Sequence, residues 1–305
     1  MLSIVIPIFN EIHTLPCILV AASKALPQAE KEIILVDDGS SDGTREWIEF
    51  NVPDGRRSAS HIRLDAHGNL LCEHGPSGSR ITVRALFHER TRGKGASLRT
   101  ALAAVTGNVV VIQDADLEYN PMDWSAMHEL IVHRKAQVVY GSRFHGRRDG
   151  RAEFVSHAQA TANRIISTLF SVLYGRSLSD VEVCYKMFTR EVSDSLNITC
   201  TDFGCEIQMS AQIVRRGWKI CEVPVSYRGR TSKEGKKISW RDGLRALWYL
   251  AWFRICSDSP IVSRRALGER AHGHDQHAAQ LAVRVRCCVA RRQEGQPGDD
   301  KCPAR

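Results

Sequence analysis

Short, uninterrupted apolar runs alternate with helical patterning through the first half of the chain. Ser3–Ile8 reads as a strand. Leu15, Ile18, Leu19 and Ala22 then recur at helical spacing, with Thr14 suited to the N-cap and Pro16 to the first turn. Ile33–Val36 is a second strand, Thr82–Phe87 a third, Val109–Ile112 a fourth and Gln137–Tyr140 a fifth. Leu98, Leu102 and Val105 share one helical face ahead of Gly107, and Met127, Leu130 and Ile131 mark another helix. Runs without inward/outward alternation are buried on both faces, which predicts an α/β protein with a mainly parallel, Rossmann-like sheet covered by helices. Sheets of this kind bind ligands at the carboxyl ends of their strands.

Two regions break the rhythm. Residues 51–80, rich in Gly, Ser, His and Arg, read as a polar insertion or hairpin outside the core. From Ser257 the pattern dissolves into Arg, His, Gln and Gly, a composition that predicts a disordered basic tail over 257–305 behind one domain over 1–256. Just before it, Ser239–Ile255 carries Trp240, Leu244, Leu247, Trp248, Leu250, Trp252 and Phe253 flanked by Arg241, Arg245 and Arg254. That is an aromatic-rich amphipathic helix, able to pack on the sheet, to touch a membrane interface, or both. Ile165–Tyr174 offers a second such surface.

Composition alters this picture only slightly. Of 305 residues, 43% are apolar and 25% charged, as in ordinary globular proteins, and the formal charge of +8 points to an anionic partner. No apolar run approaches the ~20 residues of a membrane span. The opening apolar segment lacks a preceding basic region, so it reads as a strand and not a signal peptide. The ten cysteines form no CxxC pair, which argues for free thiols in a cytosolic protein.

The chemistry gathers at strand ends. The run Val111-Ile112-Gln113-Asp114-Ala115-Asp116-Leu117-Glu118 stops an apolar strand with three carboxylates. Asp114 and Asp116 fall on the same side of an extended segment, where they can share Mg²⁺ or Mn²⁺, with Glu118 next in phase; a solvated acidic turn is the alternative. Asp37-Asp38-Gly39-Ser40 ends another strand, where a carboxylate can accept hydrogen bonds from a base or ribose, or simply cap a helix. Arg92-Gly93-Lys94-Gly95 heads a helix, where backbone N–H groups and Lys94 suit an anion.

In order and spacing these elements resemble the family 2 glycosyltransferases, in the branch similar to dolichol- and polyprenyl-phosphate mannose or glucose synthases. The resemblance rests on IVIPIFNE (4–11), ILVDDGSSDGT (34–44), RGKGASLRTAL (92–102), VVVIQDADLEYNP (109–121), VVYGSRF (138–144), DVEVCYKMF (180–188) and VPVSYRGRTSKEGKKISWRDGLRAL (223–247), and covers roughly residues 1–255. It implies a GT-A fold and transfer of a hexose, with inversion, from a UDP- or GDP-sugar to a polyprenyl phosphate. Pro7, Phe9, Glu11, Val36 and Asp38 would line the nucleotide pocket, Asp114 and Asp116 would hold the metal, and Ala115 would contact the nucleotide through its backbone. Arg143, Arg230 and Lys236 would embrace the phosphates.

A lipid-phosphate acceptor is already ionised and needs no strong base. A hydroxyl acceptor on a glycan, lipid or protein would need one, and Asp180, Glu182 and Glu206 are the candidates; Asp180 can equally be a partner for a nearby Arg or Lys. The Arg/Ser pair that lipid-phosphate enzymes place after GSR does not align here, where His157 and Asn163 stand instead. A nucleotidyltransferase would also use strand-end carboxylates but leaves 223–247 unexplained. A nucleic-acid-binding protein leaves both acidic clusters unexplained, since carboxylates repel the phosphate backbone. The expected setting is the cytosol, with peripheral contact to the membrane face.

Overall fold

The computed structural model describes residues 1–73, 80–230 and 240–256. The chain opens with β1 (Leu2–Ile8), α1 (Leu15–Lys24), β2 (Lys31–Asp37) and α2 (Thr44–Asn51). Three short strands follow, β3 (Arg56–Ala59), β4 (His61–Leu64) and β5 (Leu70–Glu73), then β6 (Ile81–Phe87), α3 (Lys94–Leu102) and β7 (Val109–Ile112). Next come α4 (Trp124–Val132), β8 (Val138–Ser142), α5 (Arg143–Arg148), β9 (Ala152–Glu153) and the long α6 (His157–Tyr174). The last part holds β10 (Lys186–Thr189), α7 (Arg190–Ser195), α8 (Cys205–Arg215), β11 (Ile220–Pro224), β12 (Tyr227–Arg228) and α9 (Trp240–Ile255).

Eight strands form one sheet in the order β11-β8-β10-β7-β1-β2-β6-β3. The pairs β1–β2, β1–β7, β2–β6 and β8–β11 are parallel. Every residue of β2 and β8 is buried, as unalternated apolar runs require of strands covered on both faces. The expected α/β sheet is therefore present, and the five strands read from the sequence all lie in it. β10 was not among them. It runs antiparallel between β7 and β8, so its first residues start on the rim where its neighbours end. This brings residues 180–186 to the ligand-binding edge.

Residues 56–73 do form a hairpin, β4–β5, but not outside the core. β3 pairs with β6 at the sheet edge, and Ile62 and Leu70 are buried in the main apolar cluster. Asn51 fastens the hairpin by accepting from the Leu70 N–H, and Trp47 Nε1 donates to the Gly68 carbonyl. The polar composition misled because two apolar anchors suffice to dock a short hairpin. The cysteines that are described are free thiols. No helix among the described residues is long and apolar enough to cross a membrane.

α9 packs by Ala246, Tyr249, Leu250 and Phe253, all buried. The Tyr249 hydroxyl donates to Asp202, and Tyr174 of α6 donates to the Leu250 carbonyl. Trp248 and Ile255 remain exposed, as do Ile165, Leu169 and Val172 of α6. The residues 257–305 read as a tail lie outside the described residues.

Candidate active site

The strand ends converge on one cavity of about 970 Å³. Its wall draws on Pro7 near the end of β1, Phe9 and Glu11 after it, Asp38 after β2, Asp114, Ala115, Asp116 and Glu118 after β7, and Arg143 after β8. Lys94, Glu182, Glu206 and Arg230 add further charge, and α6 and α9 supply the apolar Ala162, Ile165, Ala246 and Leu247 beside the polar Gln159, Asn163 and Arg245.

Local chemistry fixes the first two loops to one another. Asn10 takes a left-handed conformation (φ 53°), one that Asn tolerates better than most residues. Its backbone N–H donates to the Ser40 hydroxyl, its side-chain carbonyl accepts from the Ser41 N–H, and the Glu11 N–H donates to Thr44 Oγ1. Asp38 is occupied on both oxygens: Oδ1 lies 2.6 Å from His88 Nδ1 and accepts from the Arg92 N–H, and Oδ2 accepts from the Gly93 N–H at 2.7 Å. The loop expected to hold a ligand anion thus holds the chain's own carboxylate.

Lys94 sits between two glycines that must be glycine. Gly93 has φ 98°, and a Cβ there would lie 2.2 Å from the Thr201 carbonyl oxygen; at Gly95 it would lie 2.0 Å from that of Cys200. Their close approach to residues 200–201 aims the Lys94 ammonium at Asp114 Oδ1 (2.8 Å) and Glu206 Oε1 (3.0 Å). Burial pushes the Asp114 carboxyl up, but the Lys94 charge and hydrogen bond outweigh it and hold the group below its ordinary range. Asp116 behaves oppositely. Burial, Asp114 and Glu118 push it up to about 7 against the pull of Arg230.

Arg230 reaches this cluster from beyond β12. Its guanidinium donates to Glu11 (3.1 and 3.2 Å) and to Asp116 Oδ2 (2.8 Å), and its backbone N–H donates to Glu118 Oε1 at 2.7 Å. Arg143 is tied differently. Its Nε and terminal nitrogen each donate to Asp180 at 2.7 Å, its backbone N–H donates to the same carboxylate, and its guanidinium lies 5.2 Å from the Tyr227 ring centre. Asp180 has no solvent exposure, so its oxygens serve this bidentate pair. Of the three candidate bases, Asp180 is spent on Arg143, and Glu206 pairs with Lys94 and Lys186. Glu182 alone of the three lines the cavity with no lysine or arginine in ion-pair contact. With its amide oxygen turned to Arg143 (3.2 Å), Asn163 donates to Glu182 Oε2 (3.0 Å). Burial pushes the Glu182 carboxyl up to about 7, despite Arg143.

One sequence expectation changes here. Val36 is fully buried in the core and is not among the residues that line the cavity. Glu118 is engaged with the Arg230 backbone. No group of three His, Cys, Asp or Glu side chains is set to hold a metal ion among the described residues. Lys236 lies outside the described residues. Conversely, Tyr119, Tyr227 and His88 escaped notice. Tyr119 packs in tilted contact with the rings of Tyr185 at 4.6 Å and Tyr227 at 5.1 Å, and Arg143 lies over the Tyr227 ring.

The donor set suits a hard divalent cation. Asp114 and Asp116 face one cavity, and burial beside Asp114 and Glu118 raises Asp116, a cost that a bound cation would lower. Two carboxylates are what Mg²⁺ or Mn²⁺ typically takes from a protein when substrate phosphates complete the shell.

Comparison with known proteins agrees with this geometry. The glycosyl transferase family 2 model matches residues 3–68 and 73–196. Glycosyltransferase AglJ of Haloferax volcanii is 27% identical over 225 residues, 73% of this chain. The undecaprenyl-phosphate 4-deoxy-4-formamido-L-arabinose transferase of Proteus mirabilis is 26% identical over 236 residues, 77% of the chain. The chain spans 62% of the length of each of these relatives. Among solved structures, glucosyl-3-phosphoglycerate synthase from Mycobacterium tuberculosis, in a complex with Mn²⁺ and UDP-glucose, aligns with a TM-score of 0.55 at 19% identity, covering 83% of this chain and 78% of that one. At that identity the likeness speaks to the fold, which is GT-A. With sheet, strand-end carboxylates and family model in accord over most of its length, the chain belongs to glycosyl transferase family 2.

Proposed function

We propose that the protein transfers a hexose from a nucleotide sugar to a polyprenyl phosphate, with inversion. The observation that carries this reading is the mixed lining of one cavity: carboxylates, Lys94 and Arg230 from the strand-end loops, and the apolar Ala162, Ile165, Ile166, Ala246 and Leu247 of α6 and α9. A phosphate on an apolar chain has the same mixed character. Relatives named as undecaprenyl-phosphate transferases, and a neighbour holding UDP-glucose and Mn²⁺, support the acceptor and the donor respectively.

Asp114 and Asp116 would hold Mg²⁺ or Mn²⁺, which when bound supplies positive charge for the departing nucleoside diphosphate. The chain's own residues prepare that site. Lys94 keeps Asp114 ionised, and Arg230 balances Glu11 and Asp116 until substrate phosphates compete for its guanidinium. Arg143, fixed by Asp180, offers a positioned cation to a phosphate with little reorganisation. Attack by an ionised acceptor oxygen requires no proton acceptor. Exposed Trp248, Leu169 and Val172 would rest on the cytosolic membrane face.

One observation favours a second acceptor class. Glu182 faces the cavity with its carboxyl pushed up to about 7, suited to take a proton from a hydroxyl. The two readings separate on one experiment. The protein is incubated with radiolabelled UDP- and GDP-sugars, Mn²⁺ and undecaprenyl phosphate, and lipids are extracted. Label in the lipid phase, retained in Glu182→Gln, supports the phosphate acceptor. Label transferred only to hydroxyl-bearing glycans or lipids, and lost in Glu182→Gln, favours the second. No turnover of any donor overturns both.

A further inference from the structure

A second groove, of about 700 Å³, runs between α5 and α6 away from the catalytic carboxylates. Arg147, Arg148 and Arg164 line it, and all three are exposed. Arg164 lies over the Phe144 ring at 5.3 Å, which holds its planar guanidinium along the groove. None of the three forms an ion pair with a carboxylate among the described residues. Three guanidinium groups without a carboxylate partner line one groove, two from α5 and one from α6, and carry a self-repulsion that a bound anion removes.

The same helix face continues as an apolar stripe. Ile165, Leu169 and Val172, spaced for one side of α6, are 51%, 40% and 75% exposed. A nucleic acid or an acidic protein would satisfy the arginines and leave this stripe wet. A lipid surface satisfies both, because phosphates lie above the acyl boundary that apolar side chains enter. Ile165 lines this groove and the large cavity alike, so the two openings meet on one face.

We propose that the groove between α5 and α6 seats Arg147, Arg148 and Arg164 on the phosphate headgroups of anionic membrane lipids while the α6 stripe enters the bilayer surface. Docking there turns the mouth of the large cavity toward the membrane. This rests on the lipid-phosphate reading of that cavity, yet its three arginines lie outside the cavity wall and its ligand is a different one. Bidentate guanidinium geometry suits headgroup phosphate, and lysine would keep the charge while losing the fork.

The test uses the full chain and flotation with vesicles of phosphatidylcholine, with or without phosphatidylglycerol. Each basic side chain near an anionic surface changes binding roughly fivefold. The triple variant Arg147→Ser/Arg148→Ser/Arg164→Ser is therefore expected to bind phosphatidylglycerol vesicles roughly a hundredfold more weakly. Arg56→Ser/Arg80→Ser/Arg134→Ser removes the same charge elsewhere on the exposed surface and is expected to bind within about twofold of the native chain. Val172→Ser is expected to weaken binding without changing charge. Should the triple variant unfold, as judged by its melting curve, single substitutions of these exposed side chains read the same effect at fivefold each. Equal losses in both triple variants, or none in either, overturn the proposal. So does heparin capture that depends on the three arginines while vesicle binding does not. Transfer to detergent-solubilised undecaprenyl phosphate, measured alongside, tells apart failure of this site from failure of the acceptor reading.

Discussion

Replacing Glu182 with glutamine tests the electrostatics of the cavity from within. The Glu182 carboxyl stands near 7 instead of its ordinary 4.5 because burial disfavours its charge. The folded chain therefore holds a proton there that the unfolded chain has released between those values. Its contribution to stability is full below pH 4.5 and is lost as pH rises through 7. At 1.36 kcal/mol per unit, the ionised side chain costs at most about 3 kcal/mol above pH 7, a ceiling because the side chain keeps some contact with solvent. Glutamine keeps the shape and stays neutral. Glu182→Gln should thus match the native protein at pH 4.5 and gain up to about 3 kcal/mol at pH 8, roughly 2–4 °C per kcal/mol in melting temperature. Paired thermal unfolding curves by circular dichroism across that range read the difference directly. An offset that does not vary with pH, or a variant less stable at pH 8, would refute the assignment.

Three further substitutions probe the framework. Asp180→Asn leaves the Arg143 guanidinium buried without its counter-charge, so it and Arg143→Met should each destabilise by about 3–5 kcal/mol, and the double variant by less than the sum; additive losses in denaturant unfolding would deny the pair. Gly95→Ala drives a Cβ to 2.0 Å from the Cys200 oxygen and should cost about 3 kcal/mol or more, with Lys94 displaced from Asp114; a native-like melting curve would show that α3 can shift freely. Ala162→Trp should raise the KM for polyprenyl phosphate at least tenfold with the KM for donor unchanged, because Ala162 belongs to the apolar lining of the cavity. Unchanged values for both would place the acceptor elsewhere.

What the sequence could disclose follows from the range of the forces involved. β1, β2, β7 and β8 were legible because a buried parallel strand needs a run of apolar residues, and Asp114 and Asp116 because they end such a run. β10 was not legible: its few residues are too short for periodicity, and an antiparallel strand between two others is a tertiary choice. The Arg143–Asp180 pair spans 37 residues and the Arg230–Asp116 contact 114, separations at which no local pattern exists. The glycines beside Lys94 showed as a motif, but their reason, contact with residues 200–201, appears only when α3 is packed. Val36 lies in the core and not in the cavity wall, because a position in a motif does not say whether its side chain meets ligand or core. The hairpin at 61–73 was judged by average polarity, which two buried side chains, Ile62 and Leu70, are enough to override.

The central claim is that Asp114 and Asp116 bind a nucleoside diphosphate through a divalent cation. Calorimetric titration of UDP and GDP into the native chain, with Mn²⁺ and with a chelator, tests it most directly. The account predicts that one of the two nucleotides binds only with Mn²⁺, and that Asp114→Asn weakens this binding at least tenfold, about 1.4 kcal/mol. Nucleotide binding of equal strength with the chelator and in Asp114→Asn would contradict it.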